Sequence, residues 1–339
     1  MPSQNVSEAI HLAVTRQELP YDLAEAVMDD IMDGVATQIQ MAAYLTAMSL
    51  KGETIQEITA SAAGMRKHCV RLLHEMPVLE IVGTGGDHSD SFNISTTSAI
   101  VISAAGIHVA KHGNRAASSR SGSADVLEAL GVKIDVPPEK SVDMLNQIGL
   151  CFLFAQNYHL AMKYVAPVRS ELGIRTIFNI LGPLVNPAGA NMEMLGVYDE
   201  ELVEPLAKVL SNLGVDHAMV VHGRDGFDEI SMSDVTTVCE VHDKDFRVYT
   251  FDPARYGFTL CRKEDLVGGT PADNAAITSG ILAGEQGPRT DAVILNSAAA
   301  IHLATRGLTM ADAIDVARAT IASGKAAEQL AAFVALSNS

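Results

Sequence analysis

Apolar residues recur at helical spacing through residues 6–69, for example Ala24, Val27, Met28 and Ile31, in a stretch rich in Ala, Leu, Met, Glu and Gln. The spacing predicts short helices rather than strands. Asp33-Gly34 ends one of them, and residues 38–50 form another whose Met41, Tyr44, Leu45 and Met48 share a face. Lys51-Gly52-Glu53-Thr54 stops that helix, and Thr54 with Glu57 three residues on has the form of a capping box. This unit reads as a helical subdomain with a dimer face rather than as a catalytic one.

From Val78 the pattern changes to short β-rich runs separated by helix-like stretches. Strands are predicted at residues 78–82, 107–110, 132–136, 150–154, 192–198 and 217–221, with crossover helices between them. The fold class is therefore α/β, a small N-terminal α-helical domain plus a larger α/β domain with a mostly parallel central sheet. The expected division is a helical domain at 1–72, completed by about 166–190, and an α/β domain at 73–165 and 191–339. The connection from Ala166-Pro167-Val168-Arg169 to Asn186-Pro187-Ala188 is rich in turn formers and reads as a long return to the helical cap.

Composition narrows the partners. The chain has 339 residues, 41 acidic against 24 basic, for a net charge of −17. Such an excess of acid repels nucleic-acid phosphates and anionic membranes, so neither is an expected partner, and an anionic substrate requires a local cationic site or a metal. Cys69, Cys151, Cys239 and Cys261 lie far apart and read as reduced thiols rather than a zinc site or a disulfide framework. The first residues lack a basic stretch followed by an apolar run, and no segment has the ~18 uninterrupted apolar residues of a membrane span. A cytoplasmic enzyme or binding protein is the expectation.

Three local features carry candidate phosphate chemistry and a fourth suits a metal. In Ile81-Val82-Gly83-Thr84-Gly85-Gly86-Asp87 a predicted strand runs into three glycines, which either make a plain turn or point consecutive N–H groups at an anion. Asn93-Ile94-Ser95-Thr96-Thr97 precedes an apolar stretch, so its hydroxyls either cap a helix or share that helix start with a phosphate. Lys111-His112-Gly113-Asn114-Arg115-Ala116-Ala117-Ser118-Ser119-Arg120-Ser121-Gly122-Ser123 reads as a cationic, hydroxyl-rich loop after a strand, suited to a diphosphate, with Ser123 also placed to cap the next helix. Asp225-Gly226-Phe227-Asp228-Glu229-Ile230-Ser231 is either a solvated acidic turn or a Mg²⁺ site.

Together these motifs resemble the anthranilate phosphoribosyltransferase family. The resemblance runs through residues 40–54, Gly83-Thr84-Gly85-Gly86-Asp87, Asn93-Ile94-Ser95-Thr96, Lys111-His112-Gly113-Asn114, Val168-Arg169-Ser170-Glu171-Leu172-Gly173, Thr176-Ile177-Phe178-Asn179, Gly182-Pro183-Leu184 and Asp228-Glu229. It implies the nucleoside phosphorylase/phosphoribosyltransferase-like fold, a homodimer, and transfer of phosphoribosyl from phosphoribosyl pyrophosphate (PRPP) to the amine of anthranilate, in tryptophan biosynthesis. By the same resemblance Gly83, Gly86, Asp87, Ser91, Asn93, Ile94, Ser95, Thr96, Lys111, His112, Gly113, Asn114, Arg115, Ala116, Ala117, Ser118, Ser119 and Ser123 would bind PRPP. Ser95, Asp228 and Glu229 would carry Mg²⁺, two ions per active site. Gly83, Asn114, Arg169, His112, His159 and Gly182 would line the anthranilate route.

Arg169 can engage the anthranilate carboxylate, or it can form a structural ion pair with Glu171 or another acid. His112 and His159 can contact substrate, or they can serve as packing groups. The aromatic amine is already neutral near pH 7, so no catalytic triad is expected. Two residues depart from the family pattern: Leu160 follows the Tyr158-His159 pair where relatives have Pro, and Phe227 precedes the acidic pair where they have Leu. A pyrimidine nucleoside phosphorylase and a non-catalytic, nucleic-acid-binding relative are the competing readings; the first lacks its Lys-His-Ser-Thr-Gly-Gly type strand end here, and the second lacks a basic excess.

Overall fold

A computed structural model of the chain describes residues 2–116 and 119–339. It opens with four helices, α1 (Gln4–Val14), α2 (Tyr21–Met32), α3 (Gln38–Lys51) and α4 (Ile55–Lys67). Capping boxes start the last two, Thr37 with Gln40 and Thr54 with Glu57, satisfying N–H groups that a helix start leaves unpaired. Gln40 also ties α3 to the chain ahead of α1, its Nε2 donating to the Ser3 carbonyl at 2.7 Å. A buried ion pair, Lys51 Nζ to Glu57 at 2.7 Å, closes the corner between α3 and α4.

The chain then builds one seven-stranded sheet. In chain order its strands are β1 (Leu79–Gly83), β2 (Val109–Gly113), β3 (Leu150–Phe154), β4 (Met192–Gly196), β5 (His217–Gly223), β6 (Thr236–His242) and β7 (Asp245–Phe251). The spatial order is β3-β2-β1-β4-β5-β6-β7, parallel through β5 and antiparallel beyond it. Strand order reverses between β1 and β4, and in open α/β sheets ligands bind beyond the carboxyl ends of the strands at such a switch point.

Alternate residues feed the two faces: Met219 and Val221 join one apolar cluster, Ala218 and Val220 the other. The second cluster also contains Val6, Met28 and Tyr44 of the leading helices together with Val165, Val168, Phe178, Leu181 and Leu184, so the long connection packs against the helical unit.

Two departures from the expected strands have physical causes. Residues 132–136 form no strand, although Val132, Ile134 and Val136 are buried and Lys133 and Asp135 exposed. Alternation reports one-sided burial and not pairing: the Lys133 N–H donates to Ser337 Oγ at 3.0 Å instead of to a strand, and Pro137-Pro138 ends the extended run. The hairpin β6–β7 lies outside the expected set. It turns through Asp243 and Lys244, at φ +47° and +74°, the backbone of a tight two-residue hairpin that usually calls for Asn-Gly or Asp-Gly.

Candidate active site

The glycine turn leaves β1 at Gly83 and passes through Gly85 and Gly86, whose φ angles of +65° and +74° are free of strain only without a Cβ. Gly83 is in register with Gly196, the last residue of β4. A Cβ at Gly83 would strike the Asp228 carboxylate, and one at Gly196 the Asp228 backbone carbonyl. These two bare positions at the switch point are the floor on which Asp228 lies, and the Gly85 N–H donates to its Oδ2 at 2.7 Å. Glu229 reaches the other way, Oε1 accepting from the Ser95 N–H at 3.3 Å in the first turn of α5 (Ile94–Ala104).

Lys111 and His112 are strand residues of β2, which corrects the reading of 111–123 as a single loop. Lys111 is 3% exposed; its Nζ donates to the Ile81 carbonyl at 2.6 Å and to Ser95 Oγ at 3.3 Å. Burial draws its pKa below the usual lysine range, against the pull of the Glu80, Glu229 and Asp228 carboxylates. Burial likewise pushes Asp228 and Glu229 above the usual carboxyl range, with the charge of Asp87 added at Asp228 and that of Asp228 added at Glu229.

The donors gathered here, the carboxylates of Asp228 and Glu229 and the Ser95 hydroxyl, are all oxygen, and Asp87 Oδ2 is buried without a hydrogen-bond partner. A pocket of buried acids short of positive charge, with hard donors only, fits Mg²⁺ and not a soft metal. No three His, Cys, Asp or Glu side chains among the described residues form a cage, and Mg²⁺ commonly takes one or two carboxylates and fills its shell with water and substrate phosphate.

The rest of the expected cationic loop separates. Arg115 pairs with Glu128 at 2.5 Å and Asp125 at 3.0 Å, so its guanidinium is held against the helix α6 (Ser123–Ala129). The N–H groups of Ala116 and Gly122 both go to Asp125 Oδ2, each at 2.9 Å. Gly122 is the N-cap of α6, and Ser123 is its first helical residue, with Oγ donating to the Asn114 carbonyl at 3.2 Å. Gly113 leaves room for Ser123 and for the Phe152 ring, 2.8 Å from where a Cβ would stand. Ser119 Oγ donates to the Ser121 carbonyl at 3.4 Å, while Ala117 and Ser118 lie outside the described residues.

Neither Ser95 nor Thr96 caps α5. The N-cap is Asn93, whose amide makes no capping bond; it bridges Ser121, its Nδ2 donating to that carbonyl at 3.0 Å, and Asn274, whose Nδ2 donates to its Oδ1 at 2.8 Å. Ile94 is buried and gives its N–H to the Phe92 carbonyl at 2.7 Å. Ser91 forms an isolated antiparallel bridge with Val267.

His112 and His159 lie with ring centroids 5.0 Å apart. Both are buried, and each leaves Nε2 without a hydrogen-bond partner. Burial holds both below the usual histidine value, His159 at about 4, so both rings are neutral near pH 7. Arg169, in the helix Ala166–Leu172, is half-buried with its guanidinium 5.5 Å from the Phe178 ring centroid. Burial alone lowers its pKa, and it makes no ion pair among the described residues, so the alternative pairing with Glu171 is not formed. Asn114 is exposed, its Oδ1 accepting from the Arg115 N–H at 2.8 Å.

Residues 75–327 match the family model described as glycosyl transferase family, a/b domain, and residues 7–69 match its helical bundle domain. An anthranilate phosphoribosyltransferase of Lachnoclostridium phytofermentans is 61% identical over 333 residues, 98% of this chain and 99% of that one. The chain belongs to the anthranilate phosphoribosyltransferase family. Among solved structures, the family member from Thermus thermophilus superposes with a TM-score of 0.93 at 43% identity, covering 98% of this chain and 99% of that one. The Saccharomyces cerevisiae member, solved in complex with PRPP and Mg, gives 0.91 at 26% identity and 99% coverage of each chain.

The two departures from the family pattern fall in different settings. Leu160 is 58% exposed at the start of the turn Leu160–Tyr164, and Phe227 is buried beneath the Lys263 ammonium, 4.8 Å from its ring centroid.

Other residues that organise this candidate site give little sign in the sequence. Glu80, inside β1, accepts the His112 N–H with its two oxygens at 3.1 and 3.0 Å and also accepts from Asn186 Nδ2. Asn186 bonds the Ala110 carbonyl as well, at 2.8 Å, so one buried carboxylate and one amide fix β2 beside β1. The signal was there in an acid inside an otherwise apolar strand, since a buried charge needs partners. Arg175 Nη2 donates to the Gly86 carbonyl at 2.5 Å, with its guanidinium 4.0 Å from the Tyr198 ring centroid; a lone arginine on a turn announces nothing.

Proposed function

We propose the following division of roles for the reaction of this family. The chain is a transferase that moves the phosphoribosyl group of PRPP to the amine of anthranilate, releasing pyrophosphate. The observation that carries the residue-level reading is the acid pair lying across the glycine turn and the start of α5, with Lys111 between them. Diphosphate binding then falls to the Gly83–Asp87 turn, the first turn of α5 and Lys111, with Ser91, Asn93, Ser119 and Ser123 around them. Asp228, Glu229 and Ser95 would hold Mg²⁺, and because Asp228 faces the turn while Glu229 faces α5, two ions per site suit the arrangement. When bound, Mg²⁺ neutralises charge on the diphosphate and eases its departure.

Bond breaking at C1 runs ahead of bond making, so negative charge grows on the leaving group. Lys111, held beside the turn by the Ile81 carbonyl and Ser95 Oγ, supplies positive charge where that negative charge grows. On the acceptor side, Arg169 binds the anthranilate carboxylate and orients the ring. His112 and His159 are neutral rings with a bare Nε2, fitted to accept a hydrogen bond from the amine as it becomes positive.

We further assign residues 1–72 and about 166–190 to the helical domain, and 73–165 with 191–339 to the α/β domain. A cytoplasmic homodimer is the proposed state, supported by Val14, Val35 and Ile39, which stand 63%, 49% and 83% exposed on the helical unit. No helix among the described residues is long and apolar enough to cross a membrane. The test is the loss of anthranilate fluorescence on addition of PRPP and Mg²⁺. Turnover of thymidine or uridine with phosphate, and none of anthranilate, would overturn the assignment.

A further inference from the structure

The acid pair sits on a turn between β5 and β6, outside any ladder, so its backbone groups need other partners. The turn is tied at its edges: the Gly223 N–H donates to the Phe227 carbonyl at 2.8 Å, Lys263 Nζ to the Asp225 carbonyl at 2.7 Å, and the Ser231 N–H to Thr236 Oγ1 at 3.0 Å. The peptide that follows the acids is held by a residue far away in sequence. Asn296, in the helix Pro288–Ala304, is fully buried; its Oδ1 accepts from the Ile230 N–H at 2.9 Å and its Nδ2 donates to the Ile230 carbonyl at 2.9 Å. The same Nδ2 bonds the Ala292 carbonyl one turn back, also at 2.9 Å, which fixes the amide on its own helix.

The Ile230 N–H belongs to the peptide plane that begins at Glu229, so holding it sets the direction in which the Glu229 side chain, and next to it Asp228, leaves the chain. A buried asparagine in a helix interior is unfavourable unless its amide is satisfied, and here three of its hydrogen-bonding positions are used on this contact and its own turn.

We propose that Asn296 is a positioning residue for the Asp228–Glu229 pair, acting through the backbone of Ile230 and touching neither substrate nor metal. The proposal rests on the metal role given to that pair above. Partners that orient metal ligands typically account for about 10-fold to 100-fold in metal affinity.

The experiment compares Asn296→Ala, the milder Asn296→Ser and a control, Leu303→Ala, which empties a buried position on the same helix away from the turn. Two quantities are read on the full chain: Mn²⁺ binding in the presence of pyrophosphate, followed by electron paramagnetic resonance, and the Mg²⁺ concentration for half-maximal rate. The expected result is a weakening of both by about 10-fold or more in the Asn296 variants and wild-type values in folded Leu303→Ala. Wild-type Mn²⁺ affinity in either folded Asn296 variant overturns the proposal. Failure of the wild-type chain itself to bind Mn²⁺ with pyrophosphate overturns the metal reading beneath it.

Discussion

Gly83 and Gly196 are neighbours in register, yet a methyl group added to each should fail in a different way. At Gly83 the new Cβ meets the Asp228 carboxylate, the free end of a side chain; at Gly196 it meets the Asp228 peptide. In Gly83→Ala the carboxylate can rotate away, and replacing a strand glycine of ordinary φ recovers about 0.4–1 kcal/mol from the unfolded state. Set against about 1–3 kcal/mol for overpacking, the net loss of stability stays at or below about 2.6 kcal/mol. The carboxylate itself is displaced by about 1 Å, which in a preorganised site costs on the order of 100-fold in rate. Gly196→Ala has no such escape, because backbone must move, and its loss of stability lies at the upper end of the overpacking range, about 3 kcal/mol. Calorimetric Tm and the initial rate of anthranilate fluorescence loss across a Mg²⁺ titration separate the two. Gly83→Ala should keep most of its Tm and lose about 100-fold in rate, whereas Gly196→Ala should lose both together. A Gly83→Ala chain with the wild-type rate and Mg²⁺ dependence would refute the reading of these glycines as the floor of the acid pair.

The remaining predictions use other parts of the molecule. Asp228→Asn combined with Glu229→Gln should cut turnover by about 100-fold or more while Tm holds or rises, since the charges removed are buried and held above their usual pKa; an unchanged Mg²⁺ dependence would count against the metal role. Arg169→Ala should raise the anthranilate KM by about 10-fold to 100-fold, the value of a charge-assisted pair, with a smaller effect on PRPP; steady-state kinetics showing a change in PRPP alone would move the residue to the other substrate. Away from the site, hydrogen bonds from His302, His242 and Tyr249 hold Glu240 at about 2, against its usual 4.5, and Glu240 raises His302 above 6.5. The Glu240 contribution is present above 4.5 and lost as pH falls toward 2, and the His302 contribution is full below 6.5 and lost as pH rises through its raised value. The Tm gap between wild type and Glu240→Gln should therefore be widest at about pH 5–6 and shrink on both sides, and a gap independent of pH would dismiss the pairing.

The sequence made most visible what short-range chemistry determines. Capping residues such as Thr54 and Glu57, the helical faces of Met41 to Met48, and the glycine turn at Gly83 are each specified by neighbours within a few positions. What escaped was set by contact. Residues 132–136 have the alternation of a strand but no partner, and the β6–β7 turn replaces the usual glycine with Asp243-Lys244. Ser123 looked like a cap because it stands where a helix begins, but Asp125 performs that service by reaching back to the Gly122 N–H. Glu80, Asn186 and Asn296 act on residues remote in the chain; Asn186 and Asn296 are single polar side chains with no local pattern to mark them, and Glu80 is marked only as an acid inside an apolar strand.

Charge shows the same limit and carries a consequence for binding. Along the chain, residues 111–120 read as a cationic strip within an acidic protein of net charge −17. In space that strip comes apart: Lys111 is buried between β1 and α5, Arg115 faces Glu128 and Asp125, and Arg120 stays exposed. One buried ammonium carries at most a single positive charge, well short of a diphosphate, and two acids stand beside it. On the proposed reading the site cannot attract its substrate by fixed charge alone, because one ammonium offsets only part of a diphosphate's charge and the two acids beside it add none. Diphosphate and cation must then bind as a unit, so PRPP affinity follows Mg²⁺ concentration, and the general acidity of the chain keeps other polyanions away from a site open only to one that brings its own metal.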